Sequence, residues 1–583
     1  MTRRMRLAVA ICVIFCVVGV FGGCTKSGPS DGAVAASTPV VDKDQALAAN
    51  AKIFETGVVK VKDRVYAAIG YALANSIMVT VDGGKVIVDT TESAQAAREI
   101  KAEFDKIAPG PVLAIIYTHT HPDHILGASV FRGGEDVPIW AHESAVPALN
   151  RQFAAMSDTL RYRGAHQFGE NLPDEMMPTS GIGRWLRLDP GPVPPLLYPT
   201  HTFKDESVEL TIGGTKFVLV HAPGETRDQI FVWLPELETL LPGDNIYQAF
   251  PNLYALRGVP PRPVAQWIDS LDKMRALAPE YLVPSHTRPL TGRDNILDVL
   301  TTYRDAIAYV HDAVIRLSNQ GVPLEEMVQR IKLPPRLAGH PYLAEMYGKV
   351  SWSVRGIYTG YLGWFDGNAT RMEPLAPSER AKRLLPMLGG RDKVLGAIKD
   401  ALASGDAQWA AELSDVLLAS DPNDADAKAR KADALEALGR AEVNPNARGY
   451  YLTSAQELRG QWDAPGRPEI DSATLGDVPV EVLIKSFPAR LKPEKTGDVN
   501  KTYLFDFGED SGRWVFEIRR GVGEVRPADG DVEADLTFQA TEDDFRDFLT
   551  GVLSPAAALA GGKVKVKGGL GELIAFKSYL IQP

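Results

Sequence analysis

The stretch Val112-Leu113-Ala114-Ile115-Ile116-Tyr117-Thr118-His119-Thr120-His121-Pro122-Asp123-His124 runs from a near-continuous apolar segment straight into three histidines and an aspartate. An apolar run of this kind reads as a strand buried on both faces. The polar cluster therefore begins where a buried strand ends. Three imidazoles and a carboxylate placed there need partners that packing does not supply, and they take a large share of the 10 His in the chain. Alternation along an extended backbone puts His119 and His121 on one side, while the turn after Pro122 swings Asp123 and His124 to another. Two faces suit two metal ions.

Upstream, Ile77 to Val81, Asp82-Gly83-Gly84 and Val86 to Val88 read as a hairpin closed by a glycine turn, followed by a helical stretch from Ser93 to Ile107. Downstream, further hairpins are expected at Val208 to Val220 around Gly213-Gly214 and at Ile230 to Leu241. Mixed strands and helices to about residue 290 make one α/β domain. After Gly292 the character turns helical: Asp294 to Ser318 has apolar residues at helical spacing, and Leu395 to Leu438 reads as two alanine-rich helices separated by Asp421-Pro422-Asn423-Asp424. From Ile470 onward the pattern mixes again, with Leu504 to Phe507, Trp514 to Ile518 and Leu536 to Ala540 as strand candidates.

The chain has 583 residues, which at about 150 per domain allows three or four domains. A net charge of −11 offers no basic footprint, so no nucleic-acid partner is expected. The 3 Cys are Cys12, Cys16 and Cys24, which excludes disulfides and thiolate metal sites from every later domain. Arg3, Arg4 and Arg6 precede an apolar run from Leu7 to Phe21, too short to span a bilayer as a helix and of the form of a secretory signal. Its end, Val20-Phe21-Gly22-Gly23-Cys24, resembles a bacterial lipoprotein signal, with Phe21 where Leu is usual. The resemblance implies acylation of Cys24 and an exported, periplasmic protein lipid-anchored to a membrane, the outer one by expectation. Cleavage before Cys24 removes three arginines and takes the formal charge from −11 to −14, which makes a lipid the sensible tether. The Ser, Gly, Ala, Pro and Thr that follow read as a flexible linker, so the expected order is a signal at 1–24 and a linker at 25–50.

The His119 to His124 stretch matches the HxHxDH signature of the metallo-β-lactamase superfamily and sits after the strand where that αββα fold places it. The resemblance implies further ligands at Glu225 in His221-Ala222-Pro223-Gly224-Glu225, Asp244 in Leu241-Pro242-Gly243-Asp244 and His286 in Val283-Pro284-Ser285-His286. A carboxylate at 225 in place of histidine is similar to the alkyl sulfatase branch. So are Asn252-Leu253-Tyr254-Ala255-Leu256-Arg257-Gly258, Phe168-Gly169-Glu170-Asn171-Leu172-Pro173 and Tyr361-Leu362-Gly363-Trp364-Phe365-Asp366-Gly367-Asn368.

This branch implies a catalytic domain over 51–291, an all-α dimerisation domain over 292–462 and an α+β sterol-carrier-like domain over 463–583. It implies a homodimer with two Zn²⁺ per subunit, one ion on His119, His121 and Glu225, the other on Asp123, His124 and His286, with Asp244 bridging. Arg257 and Asn252 would hold the sulfate head of an alkyl sulfate, and Asp123, Arg257 and Asn252 form the expected catalytic set. The products would be an alcohol and inorganic sulfate, with the C–O bond attacked.

Several positions depart from the branch: Pro122 stands for its Val, Pro251 for a His, Asp244 for a Glu, and Trp352 for a His of the sulfate pocket. His142 and His201 could compensate, and His221 could orient a ligand. These departures keep two alternatives open: a dinuclear hydrolase of a phosphate ester, thioester or lactone, and a lipid-binding lipoprotein with a silent metal site.

Overall fold

A computed structural model describes residues 43–581 apart from Glu135, 153–155, 190–192, 465–471, Ala473, Asp477 and Asp510. The signal, Cys24 and the linker up to residue 42 lie outside the described residues. Residues 43–50, expected in the linker, belong instead to a helix, Lys43–Ala51. Leu47 of this helix packs against Leu73, Ile182 and Tyr347, and Asn50 Nδ2 donates to the Gly181 carbonyl at 3.2 Å. One buried leucine and one buried amide order a segment whose composition reads as spacer.

The catalytic region is built on two sheets. The first has seven strands in sequential order: β1 (Gly57–Lys62), β2 (Val65–Ile69), β3 (Ser76–Val81), β4 (Gly84–Val88), β5 (Val112–Ile116), β6 (Ile139–His142) and β7 (His201–Phe203). Strands β1 to β4 pair antiparallel, and β4 to β7 pair parallel. The second sheet runs in reverse order from β13 (Leu290–Thr291) through β12 (Tyr281–Leu282), β11 (Thr239–Leu241), β10 (Ile230–Leu234) and β9 (Thr215–His221) to β8 (Ser207–Ile212).

Alternation decides which side chains meet between the sheets. Ile77, Val79, Val86, Val88, Ala114 and Ile116 of the first face Phe217, Leu219, Ile230, Val232 and Leu241 of the second. The opposite face of the first sheet buries Met78, Ile87 and Ile115 against the helix Ala94–Ile107 through Ala97, Ile100 and Phe104. Ser93 caps that helix, accepting from the Ala96 N–H. Phe231, Leu240 and Leu282 bury the outer face of the second sheet under the helices Val264–Ala276 and Arg293–Asn319. The layers are therefore αββα. Parallel strands β4, β5 and the β11–β12 pair all deliver their following loops to one end of the sandwich.

The helical region differs from its expected form in one place. Leu395 to Leu438 contains three helices, because the run breaks at Gly405-Asp406 into Arg391–Ser404 and Ala407–Ser420, followed by Ala425–Ala441. Gly405 takes a left-handed φ of 81° and Asp406 accepts from the Trp409 N–H, a C-terminal stop followed by an N-cap. No described helix is long and apolar enough to cross a membrane.

The C-terminal region has a five-stranded sheet in the order β16 (Val522–Pro527), β15 (Arg513–Arg519), β14 (Asn500–Asp506), β17 (Leu536–Ala540), β18 (Val564–Lys567). One face is packed with Phe487, Phe505, Phe516, Phe538, Phe545 and Phe576. Val478 and Val482, just ahead of this sheet, pack into the core under the first sheet.

One close approach couples the helical region to the loops that build the site. In the helix Pro445–Leu458, a Cβ on Gly449 would lie 2.7 Å from the Gln167 carbonyl oxygen and 2.9 Å from that of His166. Gln167 Oε1 in turn accepts from the Arg257 N–H at 2.9 Å. A Gly449→Val substitution forces this helix away from the helix Ser157–Phe168 that carries His166 and Gln167, and overpacking of this kind costs about 1–3 kcal/mol. The expected readout is a lower urea midpoint.

Candidate metal centre

The histidine stretch keeps the place its sequence assigns it. Pro122–Ile125 forms one helical turn after β5, so His119 and His121 precede the turn and Asp123 and His124 lie on it. All seven ligand candidates converge. Their donor atoms form three overlapping groups: His119 with His124 and Asp244, Asp123 with His124 and His286, and His121 with Glu225 and Asp244. Asp244 and His124 each belong to two of the three. Asp123, His124 and His286, expected as one set, form one of the three groups. The other set is drawn together by the 2.8 Å approach of His119 Nε2 to His121 Nδ1.

Outer contacts orient the imidazoles. His286 Nδ1 donates to the Leu73 carbonyl at 3.0 Å, and His124 Nδ1 donates to Asp89 Oδ2 at 2.8 Å. Thr118 Oγ1 donates to Asp89 Oδ2 at 2.8 Å and so has a lone pair for His119 Nδ1 at 3.2 Å. In all three rings Nδ1 is turned to an outer partner and Nε2 faces the centre, the orientation that such partners impose on metal-binding histidines. Among the described residues, His124 Nε2, His286 Nε2 and Asp244 Oδ1 are buried without a hydrogen-bond partner.

Spacing and charge test whether a cation fits. His124 Nε2 lies 3.4 Å from Asp244 Oδ2 and 3.5 Å from Asp123 Oδ2, and His286 Nε2 lies 3.2 Å and 3.4 Å from the same two oxygens. Ligands about 2.1 Å from a tetrahedral ion stand about 3.4 Å from one another. Burial alone would lower the His286 ring, but Asp244 and Asp123 outweigh it and hold it at about 10. Burial would likewise raise Asp123 and Asp244, yet the His124 and His286 rings carry both well below the ordinary carboxylate range. The buried carboxylates thus call for positive charge at the centre, met by protons on the facing rings where no cation is bound, and the residues fit a metal.

Several residues of the site are silent in sequence. Asp89, at a left-handed φ of 58° after β4, also accepts from the Thr118 N–H at 2.8 Å and the Ser285 hydroxyl at 2.7 Å. Asn75 frames the His286 loop by donating from Nδ2 to the Pro284 and Thr287 carbonyls at 3.1 and 2.8 Å. Asp228 accepts from the Thr120 N–H at 2.9 Å and so ties down the first histidine loop. Glu92 Oε1 accepts from the Leu73 and Arg187 N–H groups, while burial and then the Asp123 charge push its carboxyl up to about 8. Arg262 pairs with Glu225 Oε2, and the Tyr247 hydroxyl reaches that oxygen at 3.5 Å. Gly243, ahead of Asp244, has a φ of 59°, and a Cβ there would strike Gln229 Nε2 at 2.0 Å and Thr118 Oγ1 at 3.0 Å. Each is a lone residue whose partner is distant in sequence, so no local motif marks it.

The expected substrate side is partly assembled. Arg257 Nη2 lies 3.2 Å from His121 Nε2, and Asn252 is fully buried with both side-chain amide atoms unpaired among the described residues. His142 and His221 stack on each other with ring centroids 3.6 Å apart, and His201 lies against Trp140. None of these three histidines joins the donor groups. Trp352 lies in the helix Val350–Leu362 with Lys349 Nζ 5.7 Å from its ring.

Comparison with known proteins agrees with this architecture. Residues 70–286 match the metallo-beta-lactamase superfamily, residues 324–461 match alkyl sulfatase dimerisation, and residues 482–580 match the SCP-2 sterol transfer family. The chain is 37% identical over 519 residues to a linear primary-alkylsulfatase of Pseudomonas sp., covering 86% of this chain and 97% of that protein. An alkyl/aryl-sulfatase of Saccharomyces cerevisiae is 30% identical over 455 residues, 76% of this chain and 70% of that one. Among solved structures, the stereoselective inverting sec-alkylsulfatase Pisa1 from Pseudomonas sp. superposes with a TM-score of 0.85 at 27% identity, covering 92% of this chain and 86% of that chain. With its histidine–carboxylate centre, its helical region and its C-terminal module all matched in order, the chain belongs to the alkylsulfatases, the sulfuric ester hydrolases of the metallo-beta-lactamase superfamily.

Proposed function

We propose that the chain hydrolyses linear alkyl sulfates to an alcohol and inorganic sulfate with two zinc ions per subunit. The observation that carries this reading is the convergence of seven donors, three of them histidines with Nδ1 held by outer partners and Nε2 turned inward, beside Arg257 and the unpaired buried amide of Asn252. Imidazole and carboxylate donors suit zinc, and cysteine is absent from the chain after Cys24. Bound there, two such ions would bring a water's pKa near neutrality and withdraw charge from the sulfate oxygens.

The chain's own residues do the rest. His119, His121 and Glu225 would hold one ion, Asp123, His124 and His286 the other, and Asp244 would span them. Arg257 offers a planar fork to the sulfonyl oxygens and Asn252 a further donor. Attack at carbon puts the new charge on the departing sulfate, where these donors stabilise it. The name of the Pseudomonas relative supports a linear primary substrate.

We also propose export with a lipid on Cys24, on the strength of Arg3, Arg4, Arg6 and the apolar run before that cysteine. A homodimer is proposed from the match to alkyl sulfatase dimerisation and from apolar side chains left exposed in the helical region: Trp364 at 75%, Met387 at 82%, Leu362 at 55% and Met372 at 55%.

Three outcomes are expected. Purified protein releases sulfate from dodecyl sulfate, loses that activity on chelation and regains it with zinc; a zinc-replete protein that releases none contradicts the reading. Asp89→Asn keeps the size and the left-handed backbone but removes the carboxylate that orients His124 and, through Thr118, His119, and loss of such outer partners weakens metal affinity by about 10- to 100-fold. Competition against a chromogenic chelator measures it. Light scattering gives a dimer for the wild type and a monomer for Trp364→Asp/Met387→Asp.

A further inference from the structure

Arg257 sits on a loop that the helix Ser157–Phe168 holds at two points. Gln167 Oε1 accepts the Arg257 N–H at 2.9 Å, and Arg163 Nη2 donates to the Leu256 carbonyl at 2.6 Å. The helix has little of its own to fix where it lies. Its N-terminus has no side-chain cap, and its buried residues are Gly164, Ala165, His166 and Gln167, which offer little apolar surface. A short helix takes most of its stability from such packing, so here polar contacts decide its position.

Two of those contacts go to one residue. Glu457, on the helix Pro445–Leu458, accepts the Tyr162 hydroxyl on Oε1 at 2.6 Å and faces His166 Nε2 with Oε2 at 3.1 Å. Partial burial and the Glu457 carboxylate push the Tyr162 phenol up, which keeps it the donor. The His166 side chain is 2% exposed, its Nδ1 lies 3.0 Å from the Tyr162 carbonyl, and the Trp462 ring packs 4.6 Å from it and 5.7 Å from Tyr162. Glu457 itself is 41% exposed, and an ion pair at that exposure contributes little as a charge pair. Its weight lies in geometry: Tyr162 and His166 stand one helical turn apart, so one carboxylate fixes both the place and the rotation of the helix. Removing it also takes the partner from a buried ring nitrogen.

We propose that Glu457 is a positioning residue for the anionic head of the substrate: through Tyr162 and His166 it sets the helix Ser157–Phe168, and through Gln167 and Arg163 that helix sets Arg257. The proposal rests on the alkyl sulfate reading above. Glu457 falls within residues 324–461, the part matched to alkyl sulfatase dimerisation, so that region gains a second task at the site. The candidate metal ligands sit at strand ends that this clamp does not touch. Loss of the clamp therefore leaves metal binding intact and takes Arg257 out of place in part of the population. Substrate affinity falls by that fraction, while the saturated enzyme keeps its rate.

Zinc-replete wild type, Glu457→Ala, Glu457→Gln and Tyr162→Phe are compared. Glutamine keeps an acceptor for Tyr162 and an amide that donates to a singly protonated His166 ring, so it separates the bonds from the charge. Hydrogen exchange read by mass spectrometry follows the segment 253–258, which contains the Arg257 amide held by Gln167. Glu457→Ala should exchange that segment at least about fivefold faster and raise KM for dodecyl sulfate by a similar factor, with kcat kept within about twofold. Tyr162→Phe should show the same changes at smaller size, and it decides the matter if Glu457→Ala fails to fold. Glu457→Gln should stay near wild type, and zinc content and the protection of segment 118–125 should be unchanged in all three. Exchange of 253–258 and KM that stay at wild-type values in Glu457→Ala and Tyr162→Phe overturn the proposal, as does a loss of zinc and kcat with KM unmoved. A wild type that releases no sulfate from dodecyl sulfate overturns the alkyl sulfate reading and this proposal together.

Discussion

A single buried carboxylate holds the site in register. Asp89 accepts from the Thr118 N–H and hydroxyl, from His124 Nδ1 and from the Ser285 hydroxyl, within 2.7 to 2.8 Å. Those four donors come from the loop after β5 and the loop after β12, so one residue after β4 ties together both sheets of the sandwich. Placing an acceptor there requires the backbone to turn with φ at 58°, a conformation aspartate tolerates better than most residues. A charge with this many partners is affordable in a buried position; with fewer it would not be. The consequence reaches the centre, because Asp89 turns Nδ1 of His124 outward, and through Thr118 that of His119, so that each Nε2 faces inward.

Around that anchor the fold separates duties. The sandwich supplies rigid strand ends that carry His119, His121, Asp123 and His124 on one sheet and Glu225, Asp244 and His286 on the other. The substrate side is supplied differently. Arg257 sits on a loop whose backbone is held by Gln167, and Gln167 is held in turn by the close approach of Gly449. The candidate metal ligands thus depend on sheet packing, and Arg257 depends on contact with the helical region.

Much of this was legible in the sequence where the signal is dense. Four donors in six residues after a buried strand announce a metal site, and the glycine-turned hairpins lie where alternation and turn chemistry place them. Glu225, Asp244 and His286 are single residues in separate loops and become readable only through resemblance to a family. Asp89, Glu92, Arg262 and Tyr247 escaped, since each acquires its meaning from a partner distant in the chain. The missed break at Gly405-Asp406 has another cause: alanine on both sides sustains the helical pattern across a two-residue stop. Strand β18, Val-Lys-Val-Lys, is too short and too charged to stand out, and pairing with β17 is what makes it a strand.

The proposed chemistry needs two cations held by one donor set. The most direct test is a crystal structure of the zinc-loaded protein with data collected on both sides of the zinc absorption edge. Two anomalous peaks per subunit about 3.5–4 Å apart are predicted, one within ligand distance of His119, His121 and Glu225, the other of Asp123, His124 and His286, both reaching Asp244. A single peak, or peaks away from these residues in protein that still hydrolyses alkyl sulfate, would contradict it.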